Sequence, residues 1–304
     1  MKPNDLESQR SSDSGGSVDQ GRFRIGVGNW GAFNLEMDAI RSAAERWSGA
    51  LRGVDRPWLC WNVDPDWCIV QQRLVSAVGW TPVIGTDLRA SRPVLLKNSV
   101  FLDFNADFKI PNMYMHFPLE FAFLFADRIA FWHSDLLVRE EKLRRIAKMF
   151  SDLKDGVTAA VEPRIPLRRL FETKSRRYWE LIGCTTRGAS RSQFENGSGW
   201  WMNFAAHPNC RDTRERQKRQ RYYWDHGVGI KYWKRNYGGK VLTIKEEEVS
   251  EGHCTRIGKN DYQRLAPDDA TRLLPGELRL NFDLVRVCKQ LGLERFLGDN
   301  LSES

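Results

Sequence analysis

The sequence predicts an α/β protein with a mostly parallel central sheet and helices on both faces. Three observations predict it. Between residues 57 and 162, short apolar runs alternate with longer stretches whose apolar residues recur at helical spacing. Two of those runs, Trp58-Leu59-Cys60-Trp61 and Ile129-Ala130-Phe131-Trp132, are long enough for one buried strand and too short for a buried helix. The strands break into polar residues at their ends (Asp64-Pro65-Asp66, Thr86-Asp87 and His133-Ser134-Asp135), which is where open α/β sheets place their chemistry.

Residues 1–21 are rich in Ser, Gly, Asp and Gln with almost no apolar content, and they read as a disordered tail. Gly26-Val27-Gly28 lacks the rest of any dinucleotide or Walker signature. Residues 22–56 read as an N-terminal helical extension, with a helix over Asn34–Leu51 carrying Leu35, Ile40, Ala43, Ala44 and Trp47 on or near one face. Residues 57–260 then form the main domain.

Its first strand is Pro57–Val63, and either aspartate of Asp64-Pro65-Asp66 can cap the helix that follows, with Trp67, Val70, Leu74, Val75 and Val78 as its buried stripe and Gly79 as its stop. Pro82–Gly85 and Ser99–Phe104 read as the second and third strands, and Pro118 opens a helix through Ala126. Arg128–Val138 is the stretch the chain is organised around: strand, His133-Ser134-Asp135 turn, then an amphipathic helix over 139–154 bearing Leu143, Ile146, Ala147, Phe150 and Leu153. Val157–Glu162 is the next strand. Residues 163–200 read as an irregular, loop-rich binding wall. Trp200–Phe204 recovers strand character, a basic helix pair spans 211–236, and Lys240–Ile244 is the last strand. Within the C-terminal segment 261–304, Asn281–Phe296 reads as an amphipathic helix.

Composition excludes several classes. No apolar run approaches the roughly 20 residues needed to span a bilayer, and the N-terminus shows no apolar core of a signal peptide, so a cytoplasmic protein is expected. Six cysteines without a CxxC pair argue against a disulfide framework or a structural zinc site. The net charge of +8 concentrates in residues 211–240, which hold ten Lys or Arg against three acidic residues, with Tyr222, Tyr223, Trp224, Tyr232, Trp233 and Tyr237 interleaved. That pattern fits a nucleic-acid binder, with Asp103, Asp107 and Asp135 as a carboxylate cluster, and equally a solvated basic face over core aromatics.

The run from Leu119-Glu120-Phe121-Ala122 through Ala126-Asp127-Arg128-Ile129 to Phe131-Trp132-His133-Ser134-Asp135-Leu136-Leu137 resembles the GT-A glycosyltransferases, nucleotide-sugar transferases with a single Rossmann-like domain. It is similar to that family's helix, strand and DxD turn, with His133 in the first acidic place. The resemblance implies a metal-dependent transfer of a sugar from a nucleoside diphosphate sugar to a glycan, lipid-linked or protein acceptor, with manganese or magnesium as the ion. It implies Asp135 as metal ligand, His133 as a contact to metal, phosphate or ribose, and His253 after the last strand as a further ligand. A protein that has kept the fold as a glycan- or partner-binding module is the competing expectation.

Asn62, Asp64 and Asp87, at the ends of the first two strands, are candidate nucleotide contacts, although helix capping is the favoured account of Asp64 and Asp66. Lys231, Arg256 and Lys259 are candidates to face the departing diphosphate. On the acceptor side, Trp200 and Trp201 offer aromatic faces for a sugar ring, and Glu195 or Asp225 could take the proton of an attacking hydroxyl. His116, His207 and His226 have no partner at ligand spacing in the sequence and carry no assigned role.

Overall fold

A computed structural model describes residues 22–26, 32–87, 90–106, 108, 115–164, 177–200, 204, 207, 209–210, 212–222, 226–254, 280 and 282–298. The expected tail lies outside them. The element order is β1 (Arg22–Gly26), β2 (Ala32–Glu36), α1 (Met37–Ala50), β3 (Pro57–Asn62), α2 (Pro65–Ala77), β4 (Thr81–Thr86), β5 (Val100–Phe101), α3 (His116–Glu120), β6 (Arg128–Trp132), α4 (Glu140–Ser151), β7 (Val157–Glu162), β8 (Trp179–Thr186), α5 (Arg187–Glu195), α6 (Thr213–Gln220), α7 (Val228–Asn236), β9 (Lys240–Lys245) and α8 (Leu284–Leu291). β1 and β2 form a separate antiparallel ribbon.

The central sheet has seven strands in the order β5-β4-β3-β6-β8-β7-β9. Every pairing is parallel except the two made by β8. From β3 the chain steps outward to β4 and β5, then returns to β6 on the other side of β3. The order therefore reverses between β3 and β6, and the crevice outside their carboxyl ends is where such sheets bind ligands.

Alternate side chains feed two apolar layers. Trp58 and Cys60 of β3, Ala130 and Trp132 of β6, and Ala159 and Val161 of β7 pack with α2, α4 and α8. Leu59, Trp61, Ile129, Phe131 and Ala160 pack on the opposite face with α1 and α3. The Trp58 ring meets those of Trp80, Trp132 and Phe150 at 5.3–5.4 Å, so one aromatic knot ties β3 and β6 to α4.

Several expectations need correction. The segment expected to open a helix at Asn34 is paired in β2, and α1 starts at Met37. The expected helix from Pro118 breaks into α3 and a 3₁₀ turn at Ala122–Leu124, because the Ser190 hydroxyl accepts the Phe123 amide hydrogen that a helix would need. The third strand shrinks to two residues, since Asp103 folds back to accept from the Ala106 amide. The C-terminal helix stops at Leu291, where Gly292 takes a left-handed conformation at φ 69°. The expected strand at Trp200–Phe204 is not formed at Trp200, and residues 201–203 lie outside the described set.

The largest miss is in 163–200, read as irregular, where β8 and α5 complete the sheet. Gly183, Thr185 and Thr186 look like breakers in the sequence. In the fold Gly183 is central: a Cβ there would collide with the Phe131 ring and the Ala159 carbonyl, so only glycine permits the close approach.

Asp64 caps α2, its Oδ1 accepting from the Asp66 and Trp67 amides at 3.0 and 3.4 Å, while its Oδ2 accepts from the Leu280 amide at 3.1 Å. Both oxygens are thereby engaged. Replacing Asp64 by alanine is expected to cost about 1–2 kcal/mol, read as a lower urea midpoint at unchanged slope. A midpoint equal to the parent's would refute this account of the cap.

Candidate metal centre

The His133-Ser134-Asp135 turn is held from three directions. Gln71 of α2 donates from Nε2 to the carbonyls of His133 at 2.7 Å and Leu136 at 2.9 Å. The His133 amide donates to the Leu181 carbonyl of β8 at 2.8 Å. Leu136 forms an antiparallel bridge with His253, flanked by hydrogen bonds from the Leu137 amide to the Gly252 carbonyl and from the Cys254 amide to the Asp135 carbonyl, both 3.1 Å. Chain segments remote in sequence thus fix the turn in one backbone conformation.

The bridge brings the expected ligands together. His133 Nδ1 lies 3.5 Å from Asp135 Oδ1, and His253 Nε2 lies 3.5 Å from Asp135 Oδ2. One donor atom from each of the three residues falls within 4.8 Å of the others. Two donors about 2.1 Å from a shared ion stand about 3.0–3.4 Å apart at octahedral or tetrahedral angles, so the 3.5 Å separations lie just outside the spacing of a ligand set, within reach of a small side-chain shift. A contrast within the chain sharpens this. Where a buried histidine and carboxylate simply hydrogen-bond, as His207 and Glu120 do, the separation is 2.7 Å.

On its other side His133 meets residues to which sequence reasoning gave no role. Its Nε2 lies 3.6 Å from Glu180 Oε1, which is also 3.3 Å from His226 Nδ1, and Glu180 Oε2 lies 3.3 Å from Arg177 Nη1. Arg177 Nη1 also donates to the His226 carbonyl at 2.9 Å. The His226 ring stacks on His116 with centroids 3.7 Å apart and planes 10° from parallel. One signal existed in the sequence: Glu180 is the single charge in Trp179–Thr186. β8 runs against its neighbours, so its first residues, not its last, arrive at the carboxyl ends of β3 and β6.

The charges are mutually dependent. Burial pulls the His133 imidazole down, but Asp135 and Glu180 outweigh it and hold its pKa up at about 9. Burial raises the carboxyl of Asp135, and contacts from His133 and His253 overcome that and hold it below the usual carboxylate range. Glu180 is lowered in the same way by His133 and His226 against its own burial. Burial, followed by the adjacent His226, pushes His116 well below the usual histidine value.

The other expected site residues fall less closely. Asn62 is buried at the end of β3, donating to Thr86 Oγ1 at 3.0 Å and the Ser91 carbonyl at 2.8 Å. Asp87 is buried at the end of β4, its amide donating to the Asn62 carbonyl at 3.1 Å. Lys231 sits 3.3 Å from Glu162 and over the Tyr178 ring, with no described contact to the cluster. Glu195 is exposed at the end of α5, with no described contact to the cluster. Trp200 is a correction: it is 0% exposed with its ring 5.0 Å from Phe131, so it is core and offers no face to a sugar. Trp201, Asp225, Arg256, Lys259 and Asp107 lie outside the described residues.

No family model, curated protein or solved structure matches the chain. What the site can do therefore rests on its own geometry. Among the described residues no helix is long and apolar enough to cross a membrane.

Proposed function

We propose that the protein is a metal-dependent glycosyltransferase of the GT-A type, moving a sugar from a nucleoside diphosphate sugar to an acceptor hydroxyl. The observation that carries this reading is the convergence of His133, Asp135 and His253 beside the reversal of strand order between β3 and β6. A donor set of one carboxylate and two imidazoles fits a divalent cation, and it suits manganese better than magnesium, which prefers oxygen ligands throughout.

When bound, such an ion supplies positive charge against which a diphosphate leaves. The chain contributes position. Gln71 and the His253 bridge hold the turn, Asp135 presents its carboxylate between the two imidazoles, and Asn62, buried at the end of β3, ties that strand end to Thr86 and Ser91. The arrangement needs no large motion to assemble its ligands.

The nucleic-acid reading receives less support. Tyr232 and Trp233 are buried, and Tyr232 and Tyr237 pack around Arg219, which is itself fully buried and donates to the carbonyls of Gly197 and Asn196. Among the described residues of the stripe, Tyr232 and Trp233 serve as core and are not free to stack on bases.

The test is calorimetric titration with a panel of nucleoside diphosphates, with and without manganese, using the parent chain and Asp135→Ala. The expected result is manganese-dependent nucleotide binding that disappears in the variant. Absence of nucleotide binding under both conditions would overturn the proposal.

A further inference from the structure

Resting on the metal reading above, we propose that Glu180 is a positioning residue that turns the Nδ1 lone pair of His133 toward the cation. A ring nitrogen of histidine binds a metal only when bare, and the proton left on the other nitrogen is commonly held by a carboxylate, which fixes the tautomer and raises the basicity of the ligand. In this chain Asp135 and His253 stand on the Nδ1 side of His133, and Glu180 stands on the Nε2 side. The ring therefore lies between two carboxylates with different tasks. Asp135 shares the ion, and Glu180 keeps the remaining proton on Nε2.

Glu180 is itself fixed. Its side chain is 7% exposed, with Oε1 shared between His133 and His226 and Oε2 facing Arg177. His226 is buttressed by its stack on His116, and Arg177 is anchored on the His226 carbonyl. His116, His133 and Glu180 also place donor atoms within 4.8 Å of one another, which raises the alternative that a second cation sits there.

Charge balance decides against it. One dication with Asp135 and Glu180 ionised is neutral before Arg177 is counted. A second dication would leave a large positive excess in a mostly buried cluster whose Glu180 already lies 3.3 Å from the Arg177 guanidinium. Arg177 occupies, in effect, the place of that second ion.

The experiment measures manganese binding by electron paramagnetic resonance for the parent and Glu180→Gln, which keeps the shape of the side chain and removes its charge. Binding is expected to weaken about 10–100-fold, with one ion per chain in the parent and an unchanged far-ultraviolet circular dichroism spectrum in the variant. A second measurement does not depend on the variant folding. In the zinc-loaded parent, imidazole ¹⁵N shifts should show His133 protonated at Nε2 with Nδ1 on the metal. Equal manganese affinity in parent and variant, a His133 bound through Nε2, or two ions per chain would each overturn the role of Glu180 while leaving the metal centre standing. A parent chain that binds no manganese would instead overturn the metal reading, and the Glu180 assignment with it.

Discussion

A Gly252→Ala chain should melt far below the parent and hold manganese poorly. Gly252 is buried directly before His253, and a Cβ at this position would penetrate the Leu137 carbonyl oxygen and crowd the Leu291 side chain. Backbone cannot yield as a flexible side chain can. The same residue accepts the hydrogen bond from the Leu137 amide that flanks the Leu136–His253 bridge. The methyl group must therefore push the 252–254 segment off the turn, breaking backbone hydrogen bonds and carrying His253 away from Asp135.

We expect a loss of about 3 kcal/mol, read by calorimetry as a fall in melting temperature of roughly 6–12 °C. Gly238→Ala is the comparison, because Gly238 has a positive φ of 69°, which Gly252 does not, but has open space around its Cβ position. Its cost should be about 1 kcal/mol with manganese binding intact. A Gly252→Ala chain no worse than Gly238→Ala would refute the account of how His253 is seated.

The second large effect is on stability against pH in the metal-free protein. The pKa of His133 is raised from its ordinary 6.5 to about 9 in the fold, so its proton stabilises the folded state fully below pH 6.5, and that contribution is lost as pH rises through 9. Asp135 and Glu180 are lowered, so their contribution is present above the ordinary carboxylate range and is lost as pH falls through it and below. His116 acts in the same sense on the acid side. Its neutral form is favoured by burial, and acid below pH 6.5 therefore favours the unfolded chain.

Metal-free protein should be most stable near pH 6–7 and lose on the order of 1–3 kcal/mol between pH 6.5 and 9. A His133→Gln chain should lack that alkaline fall. Saturating manganese should abolish it too, since the ion takes the place of the Nδ1 proton and binds better as that proton is removed. Denaturant melts at half-unit pH steps measure this directly. A parent curve that is flat from 6.5 to 9 would show that His133 does not carry the charge.

The sequence exposed those parts of the fold that local signals control. β3, β6 and β7 are mostly apolar runs of strand length whose only charges, Arg128 and Glu162, sit at their ends, and α4 has an apolar stripe at helical spacing, so each could be placed within a few residues. Asp64 could be read as a cap because its position before Pro65 is itself the signal. β8 was hidden because its glycine and threonines answer to the Phe131 ring and the β7 backbone, which are tertiary neighbours.

The same reasoning separates the halves of the site. His133, Asp135 and His253 could be proposed together because one turn and one late histidine resemble a known arrangement. Arg177 and Glu180 lie three residues apart around the start of β8, but His226 and His116 come from two other places at no set spacing, and the antiparallel entry of β8 is what unites them. Gln71 was concealed in the buried stripe of α2, where only its two carbonyl partners reveal its purpose.

The bridge between Leu136 and His253 also carries a consequence for how the chain is made. As it leaves the ribosome, β3, α2, β4 and β6 can pair long before residue 253 emerges, so the nascent sheet already presents His133 and Asp135 without the residue that completes the set. Capture of a metal ion by all three residues would have to wait until residue 253 has been made. Chains truncated before Gly252 should then keep the strands of the sheet, the last of which ends at Lys245, and show almost no affinity for manganese.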